Sequence, residues 1–358
     1  MTHLFSAFVA FFITLLCIIL LKPLAVRLGL VDAPNSRKHH QGEIPLIGGL
    51  AMFIGFLAAL LTLPISLQDY RSFIAGSALL VFVGLLDDFH ELSPKSRFLA
   101  QIIALLLMFF WGGIKLTHLG NLIFYREIGL NIYSLPVTVI AGLGIINAIN
   151  MTDGIDGLAG TLVLTELIML IQCAILNHQF IAAHILLLIV ATVLAFLCLN
   201  FRWPGCVHAQ VFMGDAGSML LGFILVWFLI ELSQTGSHAV TPVTMLWIMS
   251  LPLFDTTAVM LYRASKRKSI FSSDRQHLHH LLTDLNLSAA QISLILGSIN
   301  LILAVIGLLG FYYQLAEGIL FISFLILFTL YFISVTYLRL WLYRKRNSLY
   351  FVHLLSKN

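Results

Sequence analysis

Charge is scarce in this chain. Of its 358 residues only 10% are Asp, Glu, Lys or Arg, against 60% hydrophobic, and the mean hydropathy is +0.99. A soluble domain of this length needs far more polar surface, so a soluble globular protein is excluded. Cysteine is scarce too. Cys17, Cys173, Cys198 and Cys206 form neither a CxxC zinc spacing nor a disulfide framework. There is no soluble module, linker or low-complexity tract, and without a basic soluble module the net charge of +4 gives no nucleic-acid partner. No Walker A motif occurs, and no GxGxxG follows a strand pattern. Ser218 in "GDAGS" does not fit a nucleophile elbow. Barrel-type alternation is missing. No internal repeat is evident, which weakens a transporter reading.

What the chain does have is long apolar runs. Eleven are expected to cross a membrane: about 4–21, 45–63, 71–86, 98–112, 132–150, 157–176, 181–199, 216–232, 242–261, 288–311 and 317–341. A run of roughly 20 residues is the length that spans a bilayer as helix. Helix is the expected form, because lipid cannot satisfy an open backbone. The expected class is therefore all-α, a polytopic membrane protein. The first run lacks a positive leading segment and a small-residue cleavage site, so it reads as a retained helix. With eleven spans, 17 of the 20 Lys and Arg residues fall on one side, leaving Arg71, Lys115 and Arg126 on the other. Positive charge marks the cytoplasmic side. The N-terminus is thus expected outside and the C-terminus in the cytoplasm.

The unusual polar residues collect in connections on the cytoplasmic side. The first, about 22–44, carries Arg37, Lys38, His39 and His40 between prolines. The second, about 87–97, opens with Asp87 and Asp88, where the third span should end. A helix C-terminus disfavours carboxylates, and adjacent ones repel, so a divalent-cation site explains the pair better than a plain loop. The third is "NAINMTDGIDGLAG" (147–160), in which Asn147, Asn150, Asp153 and Asp156 recur every three residues. Gly154 and Gly157 make a regular helix there unlikely, and a broken segment lets these oxygens converge. Helix capping by Asp153 or Asp156 is the plainer alternative. In the connection of about 200–215, Asp215 opens the eighth span, where an aspartate also caps well. In that of about 262–287, Ser273 and Gln276 fit a capping box, with His277, His280 and Leu281 on one helix face and Arg275 and His279 on another. The histidines match no zinc spacing, and phosphate contacts suit them better. Glu166 and Asp255 lie within spans; Asp255 could reach a cytoplasmic-side cavity, and Glu166 has no assigned role.

Carboxylate and amide oxygens suit Mg²⁺ or Mn²⁺, which bridge phosphate oxygens. Phosphoryl transfer mainly needs positioning and neutralised charge. The residues alone thus point to metal-dependent phosphotransfer at the inner membrane face. An ion-coupled transporter is the alternative from another class, but it would place its acids near the bilayer midplane.

Five motifs in order, "DAPNSRKHHQGEIPLIGG", "LDDFHE", "NAINMTDGIDGL", "VFMGDAGS" and "DRQHLHH", resemble the polyprenyl-phosphate N-acetylhexosamine-1-phosphate transferases over nearly the whole chain. The His277-Leu278-His279-His280 pattern is similar to the branch that begins O-antigen and common-antigen polysaccharides from UDP-GlcNAc. The UDP-MurNAc-pentapeptide branch instead carries His-His-His-x-Glu, which this chain lacks. The first acidic motif usually reads Asp-Asp-x-x-Asp, and Glu91 stands at its last position here. The resemblance implies a single transferase domain, 1–358, with its active site formed by loops about 22–44, 87–97, 147–157, 200–215 and 262–287. It implies that UDP-GlcNAc and undecaprenyl phosphate give undecaprenyl-diphospho-GlcNAc and UMP, with another UDP-N-acetyl sugar as the alternative donor. Asp215, Asn150 and Asp88 would hold the metal, Mg²⁺ or Mn²⁺. Asp87, Asp88, Asp153, Asp156, His277, His279 and His280 would be catalytic, Asp87 as base. Asn147, Asn150, Asp153, Asp156, Arg37, Lys38, His40, Arg275 and His279 would bind substrate. The implied setting is the bacterial inner membrane, with a homodimer left open.

Overall fold

The computed structural model describes residues 2–32, 42–124, 126–205, 208–235, 240–269 and 276–355. The expected sites Arg37, Lys38, His40 and Arg275, and Ser273 of the expected capping box, lie outside the described residues. Thirteen α-helices carry the described fold: α1 (Thr2–Leu28), α2 (Gly48–Leu60), α3 (Arg71–His90), α4 (Pro94–Leu106), α5 (Ser134–Thr152), α6 (Leu158–Leu176), α7 (Phe180–Asn200), α8 (Gly214–Gln234), α9 (Pro242–Ile248), α10 (Ser250–Ser265), α11 (Leu278–Thr283), α12 (Ala289–Tyr312) and α13 (Glu317–Leu355). Among the described residues, nine helices are long and apolar enough to cross a membrane, α4 counting with its π-helical extension to Trp111. The chain is a multi-pass membrane protein.

Two expected spans differ in form. The second run gives a helix of only 13 residues. At 1.5 Å per residue it covers about 20 Å, short of a hydrocarbon core of about 30 Å. The ninth is broken at Met249 into α9 and α10, which meet at 80°. The break frees backbone groups that lipid cannot serve. One of them, the Leu251 amide, donates to Asn300 Oδ1 at 3.3 Å. The Asn300 amide turns to Thr165 Oγ1 (3.0 Å) and Glu166 Oε1 (3.4 Å). Glu166 therefore belongs to a buried polar knot beside the break. A third intramembrane acid, Glu231 on the far end of α8, accepts from Tyr70 Oη (3.1 Å) and Trp227 Nε1 (3.0 Å).

The centre of the bundle is α8, whose side chains are almost all buried. It packs against α3, α5, α2, α6 and α9, while α1 and α13 lie outermost with much of their apolar surface exposed. Small residues let the backbones touch, as membrane helix interfaces require. A Cβ at Gly84 of α3 would strike the backbone of Asp215 and Ala216, and one at Gly49 of α2 would strike Gly217. Both contacts fall in the first turns of α8, so they fix where Asp215 sits.

One feature departs from an all-α chain. Val31–Asp32 (β1) pairs antiparallel with Ile44–Pro45 (β2), Val31 opposite Pro45 and Asp32 opposite Ile44. The chain then runs along the residues before α8: Phe212 N donates to Pro45 O (2.9 Å), Gly48 N to Phe212 O (3.0 Å) and Gly49 N to Met213 O (3.0 Å). The base of the first loop is thereby tied to the entry of α8.

Candidate active site

Three helix ends meet around Asp215, which occupies the first turn of α8 where a negative charge is favoured. The residue before it, Gly214, has φ +72, and a Cβ there would meet the Asp88 carboxylate. Asp88 comes from the last turn of α3 and caps α8 from outside: its oxygens accept from Asp215 N (2.8 Å) and Ala216 N (3.3 Å). The plainer alternative for Asp215, that it serves only to cap α8, does not hold; the capping carboxylate belongs to Asp88. Its neighbour Asp87 is buried. It accepts from Leu92 N at 2.6 Å, pairs with Arg97 Nε at 3.3 Å and lies close enough to Asp215 to interact. Arg97 Nη1 is also 3.8 Å from Asp215 Oδ2. Ser93 caps α4 with Pro94 behind it, as the sequence suggests, and that start places Arg97 here. Glu91 is exposed and ends α3 in the left-handed conformation, φ +47.

The expected break between the fifth and sixth spans lies at 153–157. Asn150, in the last turn of α5, donates Nδ2 to Asp215 Oδ1 (2.6 Å) and Ser218 Oγ (2.8 Å). Asp153 ends α5 and neither aspartate caps α6, whose N-cap is Gly157. The Asp153 carboxyl is raised to about 7, by desolvation first and then by the charges of Asp215 and Asp156; since the residue is exposed at the rim, the two neighbouring charges are the firmer part of that rise. Asp156 pairs with Arg202 Nε at 2.6 Å and accepts from Ala209 N at 3.4 Å. Asn147 is not part of this convergence. A three-residue step falls 60° short of a full turn per repeat. Its amide accordingly faces α4, donating to Gln101 Oε1 and Leu143 O at 2.8 Å each.

The histidine segment also differs from expectation. Its helix starts only at Leu278, with His277 as an extended N-cap residue, so His277 and His280 do not share a helical face. Instead the His277 and His279 rings lie nearly parallel, 5.8 Å apart and 11° between planes, and His280 stands 4.2 Å from His279. His277 and His279 are buried, 5% and 2% exposed. A Cβ on Gly154 would meet His279 Nε2, so the segment touches the acidic turn.

Several residues here carried no mark in the sequence: Arg97 and Arg202 as partners of the acids, and Asn200. Asn200 Oδ1 accepts from Gly157 N (2.8 Å) and its amide donates to Val211 O (2.8 Å), joining the two acidic loops. Positive charge beside an acid cluster was the only available signal.

A metal has a suitable donor set in part. Among the described residues no three His, Cys, Asp or Glu side chains gather into a ready-made cage. Yet the carboxylates of Asp87, Asp88, Asp153 and Asp215 surround one helix end, and neither Asp88 nor Asp153 has an ion pair among the described residues. Mg²⁺ needs only one or two carboxylates, with water and substrate phosphate completing its shell. The residues fit such an ion.

Comparison with known proteins bears on what this arrangement serves. A family model described as Glycosyl transferase family 4 matches residues 70–233. An undecaprenyl-phosphate alpha-N-acetylglucosaminyl 1-phosphate transferase of Yersinia pestis is 39% identical over 293 residues, 81% of this chain and 79% of that protein. The transferase of the same description from Haemophilus influenzae is 38% identical over 332 residues, 93% of this chain and 94% of its own. That of Escherichia coli K12 is 35% identical over 322 residues, 90% and 88%. The chain belongs to glycosyl transferase family 4. Within this family 4 protein the matched stretch contains Asp87, Asp88, Asn150, Asp153, Asp156 and Asp215. The histidine segment lies beyond that stretch.

Proposed function

We propose that this protein transfers GlcNAc-1-phosphate from UDP-GlcNAc to undecaprenyl phosphate, giving undecaprenyl-diphospho-GlcNAc and UMP. The observation that carries this reading is the carboxylate and asparagine cluster at the α8 N-terminus, inside a membrane bundle whose relatives bear that activity in their names. The lysine and arginine asymmetry supports a cytoplasmic site in a bacterial inner membrane and an outward N-terminus, an arrangement of eleven crossings that counts the short α2 and the bent α9–α10 pair with the nine long helices. The step would open O-antigen or common-antigen type polysaccharide synthesis.

A phosphate oxygen of the lipid attacks the sugar-bearing phosphorus, and the bond to the UMP oxygen breaks. One phosphoanhydride replaces another. When bound, Mg²⁺ or Mn²⁺ at Asp215 and Asp88 would offset charge on the diphosphate and the departing UMP. Asn150 orients Asp215 by its 2.6 Å hydrogen bond. Asp87 stands where the lipid phosphate would approach and takes any proton it still carries. That duty is light, since such a phosphate has a second pKa near ~6. Asp153 and Asp156 face the nucleotide-sugar, and His279 and His280 bind the diphosphate.

The test is to incubate purified protein with labelled UDP-sugars, undecaprenyl phosphate and Mg²⁺ and to identify the lipid product. UDP-GlcNAc should be the preferred donor. Transfer from a different UDP-N-acetyl sugar alone would change the substrate, and no lipid product from any of them would end the reading.

A further inference from the structure

Asp255 sits on α10, three residues past Pro252, and is only 5% exposed. A buried carboxylate is costly unless it is fully partnered. This one faces three donors. His277 Nδ1 lies 2.7 Å from Oδ2, while Leu278 N (2.9 Å) and Tyr331 Oη (2.9 Å) donate to Oδ1. The first two belong to the entry of α11 and the third to α13. Asp255 therefore grips both the ring and the backbone of the histidine segment. Arg339, further along α13, donates to Gln276 O at 2.8 Å and lies 4.8 Å over the Tyr262 ring. Three consecutive residues, 276 to 278, are held by two helices that contribute no residue to the carboxylate cluster.

The held segment is the one that meets the acidic turn. His277 stacks on His279, His279 lies against Gly154, and Asp255, His279 and Thr152 line one narrow cleft with room for about one water. We propose that Asp255 is a positioning residue for the transfer: by fixing the His277 ring it sets His279 against the 152–156 turn. The inference rests on the transferase reading above.

The hydrogen-bond chemistry makes the claim specific. An ionised carboxylate only accepts, so His277 must carry its proton on Nδ1. Asparagine at 255 keeps the shape. Its oxygen can still accept from Leu278 N and Tyr331 Oη, but its amide then faces Nδ1 as a donor. The His277 proton must move to Nε2. A side chain that merely fills space would not produce that inversion.

The experiment uses full-length protein in nanodiscs, with ¹⁵N-labelled histidine for NMR and lipid-product assays for kinetics. In the wild type the His277 signals should show a proton on Nδ1. In Asp255→Asn they should show it on Nε2, with kcat lower by on the order of 10- to 100-fold, the range typical of lost outer-shell support. KM for undecaprenyl phosphate should move less than about threefold, as expected when a transition-state contact rather than binding is lost. Tyr331→Phe leaves the His277 bond intact and should keep kcat within about threefold. An unchanged kcat in Asp255→Asn, or an equal loss in Tyr331→Phe, overturns the proposal. So does a wild-type His277 protonated only on Nε2, a measurement that needs no variant to fold. No turnover by the wild type would instead sink the transferase reading, while the ring signals would still report the grip on His277.

Discussion

Replacing Asp88 with Asn separates a structural cap from a ligand. The Asp88 carboxylate receives two backbone amides from the first turn of α8, at 2.8 and 3.3 Å. Asparagine can keep one oxygen on the shorter bond. Its amide group then faces the Ala216 N–H, donor against donor. Losing a hydrogen bond to a charged acceptor costs about 1.5–3 kcal/mol. Losing the negative charge at a helix N-terminus adds about 0.3–1 kcal/mol. The weaker geometry of the 3.3 Å bond argues for the low end, so about 2 kcal/mol is expected. In a chain of this size, with an unfolding entropy of about 2.1 cal/mol/K per residue, that corresponds to a fall in Tm of roughly 3 °C. A cap alone would leave turnover nearly intact well below the transition. A carboxylate that also serves metal and phosphate should lower turnover by about 100-fold or more, since each 1.36 kcal/mol of lost transition-state stabilisation is tenfold. Thermal unfolding in detergent and product formation at 20–25 °C below Tm give the two numbers independently. Turnover within about threefold of wild type, with the expected loss in Tm, would refute the catalytic role; an unchanged Tm would refute the capping geometry.

Four further outcomes are expected. Gly84→Ala drives a methyl into the backbone of Asp215 and Ala216 and should cost about 1–3 kcal/mol or more, read as a lower Tm together with lost activity. Arg97→Gln leaves Asp87 and Asp215 facing each other without their shared cation, so Tm should fall in EDTA and recover with Mg²⁺; recovery no larger than in the wild type would refute the ion's placement. The Asp153 carboxyl is raised from 3.8 to about 7, so its ionisation works against the folded state from pH 4 upward and fully above pH 7; Asp153→Asn should raise the metal-free Tm at pH 8 more than at pH 4, and the reverse order would contradict the assignment. Direct displacement by the lipid phosphate predicts no exchange of labelled UMP into UDP-GlcNAc in delipidated protein, and robust exchange or a trapped adduct on Asp87 would establish a two-step route instead.

Much of the scaffold is legible in the sequence because its signals are local. Ser93-Pro94 starts α4, the glycines at 154 and 157 mark the break between α5 and α6, and every apolar run except the ninth, which breaks into α9 and α10, gives a single helix. The gathering of Asp87, Asp88, Asn150 and Asp215 is also legible, since polar residues in so apolar a chain have few other reasons to exist. Their partners are not. Hydrophobicity separates membrane from water but does not tell a lipid-facing side of a helix from a protein-facing one. Nothing local says that Asn147 turns to Gln101 or that Asp255 holds a histidine 22 residues away. The 80° bend at Met249 is equally hidden, because the group that serves the freed Leu251 amide, Asn300, lies 49 residues downstream.

The acid pair at the end of α3 shows how long-range packing reverses a local argument. Considered within α3, Asp87 and Asp88 oppose the helix dipole and each other. In the folded chain they part. Asp88 leaves its own helix for the N-terminal turn of α8, where the dipole has the opposite sign, and Asp87 takes Leu92 N and Arg97. Gly84, one turn earlier on α3, has no side chain, and only for that reason can α8 approach closely enough to receive Asp88. Asn150 from α5 then holds the carboxylate that α8 itself presents. The positions of Asp88, Asn150 and Asp215 are therefore set by one three-helix contact. An acid pair unfavourable in α3 becomes favourable once that contact forms, so the same packing that closes the bundle assembles the site.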